Sequence, residues 1–463
     1  MKLSAFKECD IRGLVDSEVT EELAYKVGRA IASLAGSTRA VVGGDVRIST
    51  PALKQAVVQG FIDSGCDVID LGTISTPLFY FARQHLDIDC GVMVTASHNP
   101  ASYNGFKITI NAHPVTLEQM KRLLNCICLN DFLSGKGNYT ELNLDKAYKD
   151  FLLKAFPASD AHCKVVVDAG NGAYSLIAPE VFKAAGYSVV PLFCVPDGSF
   201  PNRSPNSASS ENLTALSDLV IATGADMGVG FDGDGDRVSF VDETGTFVPS
   251  DVMIALLAQA VLENNPNRAI VFDQKCSQIV PETIEKASGI PIIEKSGHTF
   301  IKTRMISEQA IFGGEVSGHY FFESLHGGDD GLYSALFVGR LLSQGTATLS
   351  QRAASIPRYT TLPDIRIPFD GNSKELLDNI EAGLDGTATI LKLDGIRALF
   401  EEGWGLVRAS VTEPAITFRF EAYRPENLAL IIERFAKSLP PKLRMKLEEK
   451  IEHLSLIDEE VDE

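Results

Sequence analysis

One pattern occurs three times along this chain and restricts its fold more than any other feature. RAVVGGDVR (39–47) leads through a helical stretch to CDVIDLG (66–72). KVVVDAGNG (164–172) leads through PEVFKAAG (179–186) to YSVVPLF (187–193). RAIVFDQKC (268–276) leads through PETIEKASG (281–289) to IPIIEKSG (290–297). Each copy reads strand, glycine or polar turn, helix, strand. Strands joined by crossover helices lie parallel, so the pattern predicts three similar α/β domains with mixed, largely parallel sheets. The punctuation agrees. Thr50 and Pro51 suit a helix start and Gly65 its end, and Pro179 with Gly186, then Pro281 with Gly289, repeat that arrangement.

The chain has 463 residues; at about 150 per domain, three or four domains are expected. SGKGNYTELN (134–143) reads as a linker, and the proline-rich IPRYTTLPDIRIPF (356–369) marks a change of texture. Beyond it, alternating strands followed by a helix predict a smaller C-terminal α+β domain. The expected boundaries are 1–141, 142–247, 248–358 and 359–463.

A formal net charge of −19 argues against nucleic acid, which needs a basic face to displace counterions. It does not exclude an anionic small molecule in a cleft lined locally by Arg and Lys. The acidic stretch IDEEVDE (457–463) reads as solvated. MKLSAFKECDIRG lacks the apolar core of an export signal, and no apolar run reaches the ~18 residues of a membrane span. The eight cysteines are dispersed, and the pair nearest in sequence, Cys126 and Cys128, lacks zinc-site spacing. Reduced thiols in a cytoplasmic protein are the expectation.

The strongest local signal is FDGDGDR (231–237). Asp232, Asp234 and Asp236 alternate with glycines that let a short loop curl, so three carboxylates can converge on one hard cation. Three readings compete with this. An EF-hand loop starts similarly, and Glu243 falls at its twelfth position, but Arg237 stands where it needs glycine and strand-like flanks replace helices. A phosphatase with an aspartyl nucleophile would use Asp232. A solvated acidic turn would use none of them.

TASHNP (95–100) follows the apolar run GVMV as Asp232 follows GVGF. Both would lie at strand carboxyl ends, where open α/β sheets place ligands. Ser97 there is a turn residue or a nucleophile, with His98 and Lys107 nearby in sequence. In GGEVSGH (313–319), Glu315, Ser317 and His319 would point to one side of an extended segment, suited to reading sugar hydroxyls, or would form a plain polar turn. Arg408, Ser410 and Thr412 alternate in RASVT, a guanidinium with hydroxyls that suits phosphate.

With these motifs in order, the chain resembles the α-D-phosphohexomutases, most closely the bacterial phosphomannomutase/phosphoglucomutase group. CDIRG, TASHNP with NGFK, DAGNG, FDGDGDR, KSGH (295–298), GGEVSGH and RAS-x-T carry the likeness across nearly the whole chain. The resemblance implies four domains around a central cleft and an isomerase that moves phosphate between O1 and O6 of a hexose. Ser97 would be the phosphorylated serine. It would complete the shell of one Mg²⁺ held by Asp232, Asp234 and Asp236. Lys107, Arg237 and His319 would handle protons and charge. Glu315, Ser317 and His298 would read the sugar, and Arg408, Ser410 and Thr412 would clamp its other phosphate. Arg12, His98 and Lys275 would add contacts. Hexose 1,6-bisphosphate would be intermediate and activator, and the chain would act as a monomer, a dimer being the alternative.

Two positions depart from the family pattern: Cys9 replaces a tyrosine, and Val411 replaces an asparagine in the phosphate clamp. Val316 stands where glucosamine-phosphate mutases usually carry Gln, so mannose and glucose phosphates are the expected sugars. Phosphoglucosamine mutase, or a non-catalytic phosphosugar- or cation-binding relative, is the alternative.

Overall fold

Each copy of the repeat builds the same sheet. In the computed structural model, which describes residues 3–111, 113–158, 163–384, 386–410 and 414–461, the second copy orders its strands Phe247–Val248, Val238–Asp242, Met227–Phe231, Lys164–Asp168, Ser188–Leu192. The third copy orders them Ile290–Glu294, Ala269–Asp273, Phe312–Gly314, Tyr320–Phe322, Gly328–Asp329, the same sequence of roles read from the other end. The first keeps that core, Asp67–Thr73, Arg39–Gly44, Gly91–Val94, Tyr103–Thr109, and adds Asp10–Leu14 and Tyr139–Glu141 at the edges. In every copy the opening strand pairs in parallel with the next two, and the third turns back as an antiparallel hairpin. Helices on both faces leave the inner strands no water. Gly91–Val94 and Met227–Phe231 are therefore buried at every residue, which is why they read as unbroken apolar runs.

That shared hairpin sets the architecture of the cleft. The connection from third strand to fourth is residues 95–102 in the first copy, 232–237 in the second and 315–319 in the third. The serine motif, the acidic motif and the GEVSGH motif thus occupy one topological position, repeated three times.

The fourth unit differs, as its texture predicts. Its strands, among them Ile396–Phe400, Gly403–Ala409 and Ala415–Ala422, pair antiparallel throughout and carry the helices Ser373–Leu384, Leu428–Ala436 and Pro441–Val461. One apolar core runs continuously through the first three units, from Val41 to Ile356, whereas the fourth has its own, around Phe418, Phe420 and Phe435.

The proline punctuation is shifted slightly. Helix Thr50–Asp63 begins at Thr50 itself, preceded by Ser49, and Pro51 is its second residue. Helices Ile177–Ala184 and Ile279–Lys286 begin two residues before Pro179 and Pro281. Proline is tolerated there because the first four helical N–H groups have no partner inside the helix.

The second and third units are tied by a buried polar triangle. Tyr148 and Tyr174 hydroxyls donate to Asp330 at 2.6 and 2.8 Å and lie 2.8 Å from each other. Asp330 also caps helix Gly331–Gln344 by accepting from the amides of Leu332 and Tyr333. Burial raises its carboxyl to about 6, against these hydrogen bonds. With Asp330 ionised, two hydroxyl protons serve three close oxygen pairs; protonation supplies the third.

A carboxyl whose folded-state value is raised stabilises the fold fully below its unfolded value. That contribution is lost as pH rises through the folded value. Wild-type protein should therefore lose about 3 kcal/mol relative to Asp330→Asn between about pH 4 and 6. Denaturant melts of both proteins across that window check it; parallel pH profiles would refute it.

Candidate active site

The serine loop is made by short-range hydrogen bonding at a strand end. After Val94, the Thr95 hydroxyl donates to Asp45 at 2.8 Å and accepts the Ser97 amide at 2.9 Å. Ser97 adopts φ +48, a left-handed conformation costly for a residue with a side chain. Its hydroxyl is buried and donates to Asp232 Oδ2 at 2.7 Å. His98 Nδ1 lies 3.5 Å from Ser97 Oγ. Arg237 and burial hold His98 well below the usual imidazole range, and hence neutral.

The acidic loop is a β-hairpin connection between Met227–Phe231 and Val238–Asp242, which excludes the EF-hand reading. Gly235 has φ +84, and a Cβ on Gly233 would stand 2.5 Å from the Ser97 carbonyl oxygen. The glycines therefore permit both the curl and the close approach of the two loops. Asp234 accepts from Thr76 Oγ1 at 2.6 Å and Lys107 Nζ at 2.8 Å, and Lys107 also pairs with Asp236. One ligand oxygen from each of Asp232, Asp234 and Asp236 lies within 4.8 Å of the others. Asp234 Oδ1 and Asp236 Oδ1 are buried without a hydrogen-bond partner. A small, hard divalent cation fits this donor set, since it takes oxygen ligands and neutralises the charge that repels them.

The electrostatics show the same demand for positive charge. Burial, Asp236 and Asp234 push the Asp232 carboxyl well above its usual range. Burial would raise Asp236 too, but Lys107, His319 and Arg237 bring it well below. Lys107 is raised well above the usual ammonium value by Asp234 and Asp236, against burial.

The third loop closes over the second. Of the two readings of Glu315, Ser317 and His319, extended segment or polar turn, the structure has the turn. They form a tight turn, with the Glu315 amide donating to His319 O at 3.0 Å and Gly318 at φ +89. A hairpin two strands wide leaves no length for extended chain, and the turn makes the side chains converge instead. Ser317 Oγ lies 2.8 Å from His319 Nδ1, which is 3.1 Å from Glu315. Arg237 Nε lies 3.3 Å from His319 Nε2, and His298 stacks on the same ring at 5.9 Å. Burial would raise Glu315, but His319, Arg237 and His298 bring it down to about 2. Burial and Arg237 oppose protonation of His319, yet Asp236 and Glu315 raise it to about 9. Val316 packs against the apolar core.

Arg12 reaches the serine loop, donating to Asn99 Oδ1 at 2.8 Å. Lys275 and Arg408 are held elsewhere, at 2.8 Å from Asp364 and 3.1 Å from Asp394. Ser410 continues the hairpin through its amide to Ala415 O at 2.8 Å. Thr412 and Val411 lie outside the described residues. Thr76 and Asp329 were not anticipated. Asp329 is buried, both its carboxylate oxygens lack hydrogen-bond partners, and one lies 3.7 Å from His319. Thr76 follows a helix-capping serine and reads as helix start, and Asp329 precedes the capping Asp330, so both hide inside structural motifs.

Four family models match in succession: phosphoglucomutase/phosphomannomutase α/β/α domain I at 3–132, domain II at 146–245, domain III at 249–359, and the C-terminal domain at 363–438. A phosphomannomutase/phosphoglucomutase of Pseudomonas aeruginosa is 40% identical over 446 residues, covering 94% of this chain and 95% of the relative. A phosphoglucomutase of Neisseria gonorrhoeae is 36% identical, covering 93% and 95%. The crystal structure of a phosphoglucomutase/phosphomannomutase family protein from Burkholderia thailandensis superposes with TM-score 0.89 at 33% identity, covering 95% of this chain and 97% of that one.

If the acidic loop takes a cation, adding Mg²⁺ to chelator-treated protein should stabilise it by about 2.7 kcal/mol at a hundredfold excess over Kd. Asp234→Asn should lose most of that gain. Thermal melts with and without the ion read both, and a wild-type midpoint indifferent to divalent ions would overturn the assignment.

Proposed function

Because this chain belongs to the phosphoglucomutase/phosphomannomutase family, we propose that it interconverts the 1- and 6-phosphates of mannose and glucose, with Ser97 as phosphoryl carrier. The reading is supported above all by the Ser97 hydroxyl lying 2.7 Å from Asp232 inside a buried tri-aspartate cluster.

In the proposed cycle, phosphorylated Ser97 gives its phosphoryl group to the free hydroxyl of a hexose phosphate. The serine Oγ–P bond breaks, a sugar O–P bond forms, and the proton leaving the sugar hydroxyl is matched by one that Ser97 Oγ takes up. The resulting hexose 1,6-bisphosphate turns over and returns its other phosphate to Ser97 Oγ. Phosphoryl transfer asks chiefly for positioning and neutralised charge. A Mg²⁺ on Asp232, Asp234 and Asp236 would supply charge neutralisation at the transferring group. Lys107 and Arg237 bring fixed positive charge beside it. His319, protonated near neutral pH, can give a proton to a departing oxygen, and Glu315 and Ser317 accept from sugar hydroxyls beside His298. Arg12 and His98 hold the serine side of the cleft. Arg408, Ser410 and Thr412 grip the phosphate that does not react, with Lys275 across the junction.

Because the bisphosphate must present either end to Ser97, the site has to accept a hexose in two orientations. C2 epimers then differ by one hydroxyl, which favours activity on both mannose and glucose phosphates. All the named residues come from one chain, so a monomer suffices for the reaction. Among the described residues no helix is long and apolar enough to cross a membrane. All eight cysteines are free, as a cytoplasmic setting would keep them.

Ser97→Ala should lower mutase turnover by about a thousandfold or more. Intact-mass measurement should find one phosphoryl group on wild type, removable by substrate, and none on the variant. Coupled assays on mannose, glucose and glucosamine 1-phosphates test the sugar. Retained activity in Ser97→Ala would end the carrier assignment, and a large preference for the glucosamine phosphate would end the sugar assignment.

A further inference from the structure

The backbone of the serine loop is gathered by one side chain, Arg47, which no motif singled out. It lies just past strand Arg39–Gly44 and is 1% exposed. A guanidinium has five N–H donors in a rigid planar fork. Here each of the five has an acceptor. Nε donates to Asp45 Oδ2 at 3.0 Å; Nη1 donates to Pro100 O at 2.7 Å and Tyr103 O at 3.0 Å; Nη2 donates to Ser97 O and Asn99 O, both at 2.7 Å. Four carbonyls of the segment containing Ser97 therefore point at one buried cation.

The anion in this arrangement organises the same loop. Asp45 accepts from the Arg47 amide at 3.0 Å, the Thr50 hydroxyl at 2.8 Å and the Thr95 hydroxyl at 2.8 Å, and Thr95 accepts the Ser97 amide. The Asp45–Arg47 pair thus holds Ser97 from its carbonyl side directly and from its amide side through Thr95. A residue at φ +48 persists only where its surroundings over-determine it, and these contacts do so.

Arg47 also contacts the second repeat. Its guanidinium lies 5.1 Å from the Phe200 ring centroid, and Phe200 Cζ lies 3.5 Å from the Cβ position of Gly233 in the acidic loop. The backbone touches as well, since a Cβ on Gly198 would stand 2.3 Å from Val46 O. One planar group therefore sits between the serine loop and the chain that backs the acidic loop.

We propose that Arg47 is a positioning residue for phosphoryl transfer, fixing the Ser97 oxygen in register with the acidic loop through the serine-loop carbonyls and Phe200. This rests on the reading of Ser97 as phosphoryl carrier. Arg47 touches no substrate atom and acts only through Ser97. A displacement of about 1 Å at a reacting atom can cost about a hundredfold in rate. Lysine keeps the charge but can serve at most three of the five acceptors, and not in a plane.

The test uses the full chain in three forms: wild type, Arg47→Lys and Phe200→Leu. Each is dephosphorylated and mixed with glucose 1,6-bisphosphate, and Ser97 phosphorylation is followed by rapid quench and intact mass. KM and kcat for mannose 1-phosphate are measured alongside. Arg47→Lys should transfer about a hundredfold more slowly, with KM within about threefold of wild type because substrate contacts are untouched. Phe200→Leu should slow transfer by about tenfold with KM again retained. A merely structural Arg47 would lower the melting temperature while leaving the transfer rate of the folded fraction at the wild-type value, and that result overturns the proposal. Should Arg47→Lys fail to fold, wild-type transfer in Phe200→Leu overturns it. If wild type itself never takes a phosphoryl group, the carrier reading fails first and this proposal with it.

Discussion

Three carboxylates and a serine hydroxyl share one buried volume, and the rest of the cleft is organised around the cost of placing them there. Desolvating like charges is expensive, and the structure offsets it with cations from separate repeats. Lys107 comes from the first repeat, Arg237 from the acidic loop itself, and protonated His319 from the third. Even so, Asp234 Oδ1 and Asp236 Oδ1 accept no hydrogen bond, which leaves lone pairs open to a divalent ion. The same cluster ties the three repeats together. Thr76 bonds Asp234 from the first, and from the third Gly318 O and the Gly331 amide bond the backbone of the hairpin that carries the carboxylates.

This economy follows from the repeat. A parallel pair followed by an antiparallel hairpin places a loop at the same sheet end in every copy, where carboxyl ends of strands leave backbone groups and side chains open to a ligand. Three copies packed on one continuous core bring three such loops to one place, so a serine, a metal-type loop and a sugar-type turn meet without any long insertion. Backbone bonds lock the second and third together: the Val238 amide donates to Gly318 O at 3.1 Å, and Gly331 N to Gly235 O at 3.1 Å. The geometry at Ser97 therefore depends on distant packing, including the Tyr148–Tyr174–Asp330 triangle behind the acidic loop.

Much of this is legible in the chain because strands, turns and charge patterns are local. GVMV and GVGF show where strands end, and the spacing of Asp232, Asp234 and Asp236 shows that their loop curls. What stays hidden is long-range. Arg47 reads as an ordinary residue after a strand, since its acceptors are carbonyls 50 to 56 positions away and carbonyls have no sequence signature. Thr76 and Asp329 sit in helix-capping neighbourhoods that already account for them. The Glu315–His319 segment reads equally as extended chain or polar turn, because alternating polar residues suit either geometry, and only the short hairpin decides. Cys9 shows the converse: its departure is plain in the sequence, its effect is not. Burial raises its thiol to about 11, so at neutral pH it is a protonated wall of a small cavity beside Lys107, Thr299 and His298 rather than a nucleophile.

The fourth unit is attached by a different kind of contact. Its core is separate from that of the other three, and besides the Tyr359–Tyr423 ring contact its junction is made by polar groups. Glu421 accepts from the Gln278 amide at 2.9 Å and from Trp404 Nε1 at 2.8 Å. Arg397, stacked on Trp404 at 3.8 Å, donates to the carbonyls of Gln274 and Cys276. Apolar interfaces resist separation in proportion to area, whereas a few hydrogen bonds and ion pairs exchange with water at little net cost. The cations flanking this junction are already paired to carboxylates of the fourth unit, Lys275 to Asp364 and Arg408 to Asp394. An anion arriving here meets positive charge that is screened but not buried. If the proposed phosphate binds here, it has to displace Asp394 from Arg408, so the net gain depends on the bidentate geometry a phosphate offers the guanidinium and a single Asp394 oxygen does not.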